Sequence, residues 1–193
     1  LSEGAFGGIQ DLHFQKEISD DNFLANALFG DGSAAVLMEG STIQKKKIIP
    51  THFHSKLVQN GSPHMAWNVG YFGFEMRLSS YVPDILGQHI QSFYSELILS
   101  NGSSPNLKYM AVHPCGKKII RSVEQALNLS NEINVAAYRV LKDFGNMSSP
   151  TILFVLKEIF DQLDERDHHE EIAGFAFGPG ITLEGALFKI EME

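Results

Sequence analysis

Three short segments of this 193-residue chain hold residue types capable of acid–base or charge-stabilising chemistry. His113-Pro114-Cys115-Gly116 follows a short apolar run, so its imidazole would sit at a strand end and be followed at once by a turn. That position holds a ring rigidly at the mouth of a sheet, although a histidine packed under a loop would leave the same trace. Gly145-Asn146-Met147-Ser148-Ser149 interrupts two helical patterns. Its glycine and short polar side chains suit a tight corner with an Asn amide free to donate hydrogen bonds, or simply a helix cap. Phe177-Gly178-Pro179-Gly180 joins two β-patterned runs. It reads as a rigid loop where backbone can approach a ligand, or as a plain hairpin turn.

Cys115 is the one cysteine, and a cysteine near His and Asn raises the question of a thiol nucleophile. Such a thiol needs a base beside it and usually a helix N-terminus to stabilise the thiolate. Cys115 lies two residues from His113 and just before a helical pattern, but Pro114 intervenes. We expect it not to be the nucleophile. No metal site is expected. His168 and His169 are adjacent in sequence, so their side chains should diverge. His52 and His54 could share a strand face, but no further ligand lies at a suitable spacing. Gly30-Asp31-Gly32-Ser33 lacks the lysine and spacing of a phosphate loop.

These residues need a scaffold, and the pattern supplies an alternation of strands and helices. Phe23 to Leu28 is an apolar run ending at the Gly30-Asp31-Gly32 turn, and Ala34 to Met38 reads as a buried strand. Lys47–His54 and Val69–Arg77 are expected strands, separated by the loop Asn60-Gly61-Ser62-Pro63. Pro83 opens a helix whose apolar face includes Leu86, Ile90, Phe93 and Leu97. A strand from Lys108 to Val112 delivers His113, and a helix follows from Lys117 to Leu127. Ser130 is placed as the cap of a helix ending near Phe144, and Ser149-Pro150 as the cap and first residue of the next. Asp161 to Glu171 reads as a solvated connection, and strands over Ile172–Phe177 and Thr182–Ile190 close the chain. The element order fits a layered α/β or α+β arrangement with a mixed sheet covered by helices; of the two, the expected fold class is α/β with the sheet mostly parallel.

Composition sets the outer limits. A formal net charge of −8 and a single basic cluster, Lys45-Lys46-Lys47, argue against a nucleic-acid-binding surface. No apolar run is long enough for a membrane span. The N-terminal ten residues do not resemble a signal peptide, and one cysteine fits a reducing compartment, so a cytoplasmic location is expected.

Taken in order, four motifs resemble the C-terminal half of type III polyketide synthases, the chalcone synthase family. Ala27-Leu28-Phe29-Gly30-Asp31-Gly32-Ser33-Ala34-Ala35 is similar to that family's ALFGDGAAA segment, and His113-Pro114-Cys115-Gly116 to its HPGG motif. Phe144-Gly145-Asn146-Met147-Ser148-Ser149 resembles YGNMSS, and Gly174 to Thr182 resembles GFGPGLT with a one-residue shift. The matches run from about Asp11 to the C-terminus. Residues 1–10 then stand outside as an extraneous or irregular lead-in, and 11–193 as the C-terminal, thiolase-like lobe.

The resemblance implies a Cys-His-Asn catalytic triad in which His113 and Asn146 supply the histidine and asparagine. The nucleophilic cysteine would come from an N-terminal lobe of the same polypeptide. It implies decarboxylative Claisen condensation of malonyl-CoA onto an acyl-CoA starter, with CoA thioesters as substrates, no separate cofactor, and a full-length homodimer. The chain alone would be inactive, and its exposed inter-lobe face would be apolar. The substrate-contacting residues would be Met76, Ser148, Phe177, Gly178, Pro179 and Gly180. Lys117 and Lys118 would offer positive charge to CoA phosphate. Ala176 in place of a family glycine and Met76 near a pocket phenylalanine put an aromatic starter in question, and fatty-acyl starters fit equally. Two alternatives stand beside this one. Another thiolase-superfamily condensing enzyme, of the ketoacyl synthase type, would carry different residues after the His and Asn. A non-catalytic half-thiolase module would only bind CoA or a partner lobe.

Overall fold

The computed structural model describes residues 20–40, 45–70, 73–102 and 107–192. Its first helix, α1 (Asp20–Leu28), is followed by strand β1 (Lys46–Leu57) and by strands β2 (Met65–Gly70) and β3 (Gly73–Leu78). Next come helix α2 (Val82–Asn101), strand β4 (Tyr109–Val112), helix α3 (Lys117–Leu127), helix α4 (Val135–Phe144) and helix α5 (Pro150–Gln162). Strands β5 (Glu171–Gly178) and β6 (Thr182–Met192) complete the order.

One sheet carries the architecture, with strands ordered β1-β6-β5-β4. Side chains alternate between its faces because successive residues of a strand point to opposite sides. Met110, Val112, Ala173, Phe175, Leu183 and Leu187 meet α2 and α3 in one core. Ala111, Ile172 and Ile190 meet α4 and α5 in another. The central strands are therefore buried on both faces. The expected helix over Lys117–Leu127 forms with those bounds, and α2 buries Leu86, Ile90, Phe93 and Leu97 completely.

The sheet is mixed, as expected, but it is not mostly parallel. Only β4 and β5 pair parallel, while β5–β6 and β6–β1 pair antiparallel. The reason is connection length. Parallel strands need a crossover, and α3, α4 and α5 provide one between β4 and β5. The three residues between β5 and β6 permit only a hairpin.

Several local expectations are corrected. Ala34 to Met38 forms no strand; Leu37 and Met38 are 82% and 77% exposed. An apolar run becomes a strand only when a neighbour completes its ladder, and among the described residues none does. Val69 to Arg77 is not one strand but parts of two, β2 and β3, paired as a hairpin whose inner ends are Gly70 and Gly73. Ser130 precedes a short 3-10 turn, Asn131–Asn134, and its side chain caps nothing. Ser149 is also no cap, because its own backbone is already helical (φ −51°). The acidic stretch after α5 is not simply solvated. Asp167 is buried, receives the Tyr109 hydroxyl at 2.8 Å and pairs with the Lys108 ammonium. His168 and His169 do not diverge. The backbone is left-handed at His169 (φ 71°), and the two rings lie against each other, tilted by 37°, with centroids 3.7 Å apart.

Candidate active site

β4 runs beside the longer β5, and their ladder continues one step beyond β4, where the His113 N–H donates to the Phe175 carbonyl at 2.7 Å. That bond fixes His113 at the C-terminal end of the parallel pair, just before the N-terminus of α3. His113 is 6% exposed. Among the described residues the one sealed side-chain polar atom without a partner is Oδ1 of Asn134, so the His113 nitrogens are not closed off. Burial lowers the pKa of His113 to about 4. At neutral pH the imidazole is therefore uncharged, with one N–H to donate and one nitrogen to accept.

Asn146 sits at the corner between α4 and α5 and is 4% exposed. Gly145 turns the chain with φ 72° and ψ −162°, a conformation that only glycine adopts without strain. The Asn146 side chain then folds back. Its Oδ1 accepts the Ser148 N–H at 2.9 Å. A peptide N–H can face only the oxygen of the amide, so this bond settles which way the amide lies and leaves Nδ2 to donate elsewhere. Ser148 itself is held at φ 61°. Thr151, fully buried, closes the corner: its hydroxyl accepts the Met147 N–H at 2.8 Å and donates to the Ser148 carbonyl at 2.7 Å.

The C-terminal end of α1 ties the His and Asn segments together. The Leu28 carbonyl accepts the Asn146 N–H at 2.9 Å, and the Gly30 N–H returns to the Asn146 carbonyl at 2.9 Å. A Cβ placed on Gly116 would lie 3.7 Å from a Leu28 methyl, so the turn after His113 packs against the same leucine. The Gly30-Asp31-Gly32 segment now has a reason beyond turning. A Cβ at Gly30 would overlap the Phe144 carbonyl, and one at Gly32 would overlap the Met147 sulfur. The glycines let this segment lie flat on the Asn146 corner.

Phe177-Gly178-Pro179-Gly180 lies beside the His113 turn, where Cys115 Sγ contacts the Phe177 carbonyl at 3.9 Å. Burial pushes the Cys115 thiol up to about 12, which makes it a very poor nucleophile at neutral pH. The turn itself is pinned from the other side. The Gly180 N–H donates to Met65 at 2.7 Å, the Val58 N–H donates to Ile181 at 3.1 Å, and Gly61 packs tightly against the Gly180 carbonyl. Ile181 is buried with φ 54°, an unfavourable conformation for a β-branched residue.

Met76 is buried on β3 opposite Trp67, whose ring meets that of Phe29 at 6.0 Å, and Phe29 forms a parallel bridge with Asn146. The hairpin thus reaches the Asn146 corner through two aromatic residues. Lys117 and Lys118 are exposed on the first turn of α3. Sequence reasoning did not single out Leu28, Thr151 or Ile181. A leucine at a helix end, a threonine in a first turn and an isoleucine after glycine carry no distinguishing signal. Among the described residues there is no cluster of three metal-ligating side chains and no helix long and apolar enough to cross a membrane.

Comparison with known proteins shows the family of the chain. Residues 51–191 match the family model described as chalcone and stilbene synthases, C-terminal domain. The chain is 32% identical over 182 residues to the alpha-pyrone synthesis polyketide synthase-like protein Pks18 of Mycobacterium tuberculosis, covering 92% of this chain and 46% of that protein. It is likewise 32% identical over 191 residues to a putative chalcone synthase of Bacillus subtilis, covering 93% and 51%. The chain therefore spans about half the length of the curated relatives it matches. The 1,3,6,8-tetrahydroxynaphthalene synthase of Streptomyces coelicolor, a bacterial type III polyketide synthase, superimposes with a TM-score of 0.83 at 24% identity. That match covers 92% of this chain and 50% of the other, and it shows a shared, thiolase-like fold. The chain belongs to the chalcone and stilbene synthase family of type III polyketide synthases, and the part of that family's fold it carries is the C-terminal domain.

Proposed function

We propose that this chain is the C-terminal half of a type III polyketide synthase that condenses malonyl-CoA with an acyl-CoA starter, and that His113 and Asn146 are its catalytic hydrogen-bond donors. The observation that carries the reading is the attachment of both segments to Leu28: the Asn146 corner by a main-chain hydrogen bond, the turn after His113 by packing. In the proposed reaction a cysteine thiolate from the N-terminal half attacks the starter thioester and releases CoA. Malonyl-CoA then loses CO2, and the electron pair of the broken C–C bond passes to the α-carbon and its thioester oxygen. An N–H of His113 and the Nδ2–H of Asn146 stabilise that enolate oxygen as its charge develops. The enolate carbon attacks the enzyme-bound acyl group, a C–C bond forms, and the thiolate leaves.

The low pKa of His113 fits this role. A neutral imidazole retains an N–H for the oxyanion, and only a facing thiolate would supply the opposite charge needed to hold it protonated. The turn from Phe177 to Gly180 and Ser148 would border the reacting groups, and Met76 would form part of the acyl wall. Met76 offers an unbranched, adaptable side chain, which suits a flexible aliphatic starter, and one relative is named for alpha-pyrone synthesis. Lys117 and Lys118 would meet CoA phosphate at the positive end of α3. The exposed Val36, Leu37 and Met38 would be covered by the N-terminal half, and the whole would pair as a homodimer.

CO2 release from malonyl-CoA by the polypeptide that joins both halves tests the assignment. His113→Ala and Asn146→Ala should each lower the rate about 100- to 1,000-fold, the usual effect of losing an oxyanion donor. Wild-type rates in both variants would overturn it.

A further inference from the structure

We infer that Thr151 is a positioning residue for the Asn146 amide, a role that rests on the reading of the site given above. The amide can aim Nδ2 outward only while Oδ1 is held, and Oδ1 is held by the Ser148 N–H at 2.9 Å. Ser148 presents that N–H from a left-handed conformation, φ 61°, which a non-glycine residue keeps only when its surroundings impose it. Thr151 imposes it. Its own N–H donates to the Ser148 carbonyl at 3.0 Å, and its hydroxyl donates to the same oxygen at 2.7 Å. The hydroxyl oxygen also accepts the Met147 N–H at 2.8 Å and lies 3.4 Å from Asn146 Oδ1. One hydroxyl therefore holds the peptide group before Met147 and the one after Ser148, and it stands within reach of the amide itself.

No water can take over this work in the native corner, because Thr151 is fully buried. Its methyl group limits the side chain to few rotamers and so fixes the hydroxyl. Without the hydroxyl, Ser148 would relax towards negative φ and its N–H would leave Oδ1. The amide would then rotate away from the oxyanion. Thr151 touches no reacting atom; it acts through Asn146.

The test is a double-mutant cycle in the polypeptide that joins both halves, with malonyl-CoA as probe and CO2 release as readout. Thr151→Val keeps shape and removes the hydroxyl. It should lower kcat about 10-fold with KM changed less than about twofold, since a misaimed donor is weakened rather than lost. Thr151→Ser, which keeps the hydroxyl, should return to within about threefold of wild type. Thr151→Val combined with Asn146→Ala should be no slower than Asn146→Ala alone, because removing the amide leaves nothing to position. Wild-type kcat in Thr151→Val beside a slow Asn146→Ala, or additive losses in the double variant, would overturn the inference while leaving the site reading intact. An unimpaired Asn146→Ala would overturn the site reading and this inference with it. If Thr151→Val does not accumulate as folded protein, Thr151→Ala takes its place in the cycle with the same expectations.

Discussion

The main-chain N–H of Asn146 donates to the carbonyl of Leu28 at 2.9 Å, so the corner between α4 and α5 is built on the end of a helix more than a hundred residues earlier in the chain. Gly30 and Gly32 make that contact possible. Gly30→Ala should destabilise the protein by about 1–3 kcal/mol, as overpacking against fixed backbone does. Gly32→Ala should cost less, because it meets the flexible Met147 side chain rather than a carbonyl. Urea denaturation of the two variants measures the difference, and equal stabilities would contradict the packing described.

The pKa of His113 gives a signed pH dependence. Burial holds the folded value at about 4, whereas an exposed histidine in the unfolded chain titrates near 6.5. Between those values the unfolded chain binds the extra proton and the folded one does not, so stability falls as pH drops from about 6.5 towards 4. The full effect is on the order of 3 kcal/mol. His113→Gln should lose this part of the pH slope, a difference that denaturation at pH 7 and pH 4.5 would reveal.

Cys115 should behave as a structural residue. With its thiol raised to about 12 by burial, alkylation by iodoacetamide at pH 8 should be at least about 100-fold slower in the folded protein than in urea. Fast alkylation of the native protein would contradict this. The proposed condensation, assayed in the polypeptide that joins both halves, should survive Cys115→Ala.

At the opposite end of β4, burial raises the Asp167 pKa, but the Lys108 ammonium, the Asp164 N–H and the Tyr109 hydroxyl together bring it below the usual carboxylate value. Asp167→Ala would leave a half-buried phenol and a peptide N–H without their acceptor and should cost about 1–3 kcal/mol. Because this cluster lies at the end of β4 away from His113, malonyl-CoA turnover at low temperature should change little.

Much of this was legible in the sequence, for identifiable reasons. Helix α3 announced itself through Ile119, Ile120, Val123 and Leu127, a local periodicity that burial then enforces. The turn at Gly178-Pro179-Gly180 and the break at Gly145 rest on residue types with distinctive backbone ranges, since proline fixes φ and glycine alone takes the positive φ of Gly145 and Gly180 without strain. What could not be read were features set by distant partners. Ala34 to Met38 has strand composition, yet a strand needs a neighbour, and composition cannot say whether one is present. Asp167 looked like one more surface acid because its partners, Lys108 and Tyr109, lie nearly sixty residues away. Thr151 gave no signal because its importance comes from where Ser148 and Asn146 place their polar atoms. The share of parallel pairing is not legible because β1 pairs antiparallel with β6 more than a hundred residues further on, a closure no local pattern records.

Product formation shows whether His113 and Asn146 act as the proposed oxyanion donors of a condensing enzyme. The polypeptide that joins this half to a cysteine-bearing half would be supplied with malonyl-CoA and a panel of aliphatic and aromatic acyl-CoA starters, with products read by mass spectrometry. Pyrone, resorcinol or chalcone masses are expected from the intact protein, and their loss in both His113→Ala and Asn146→Ala. Malonyl-CoA left intact with every starter, or products undiminished in the two variants, would contradict it.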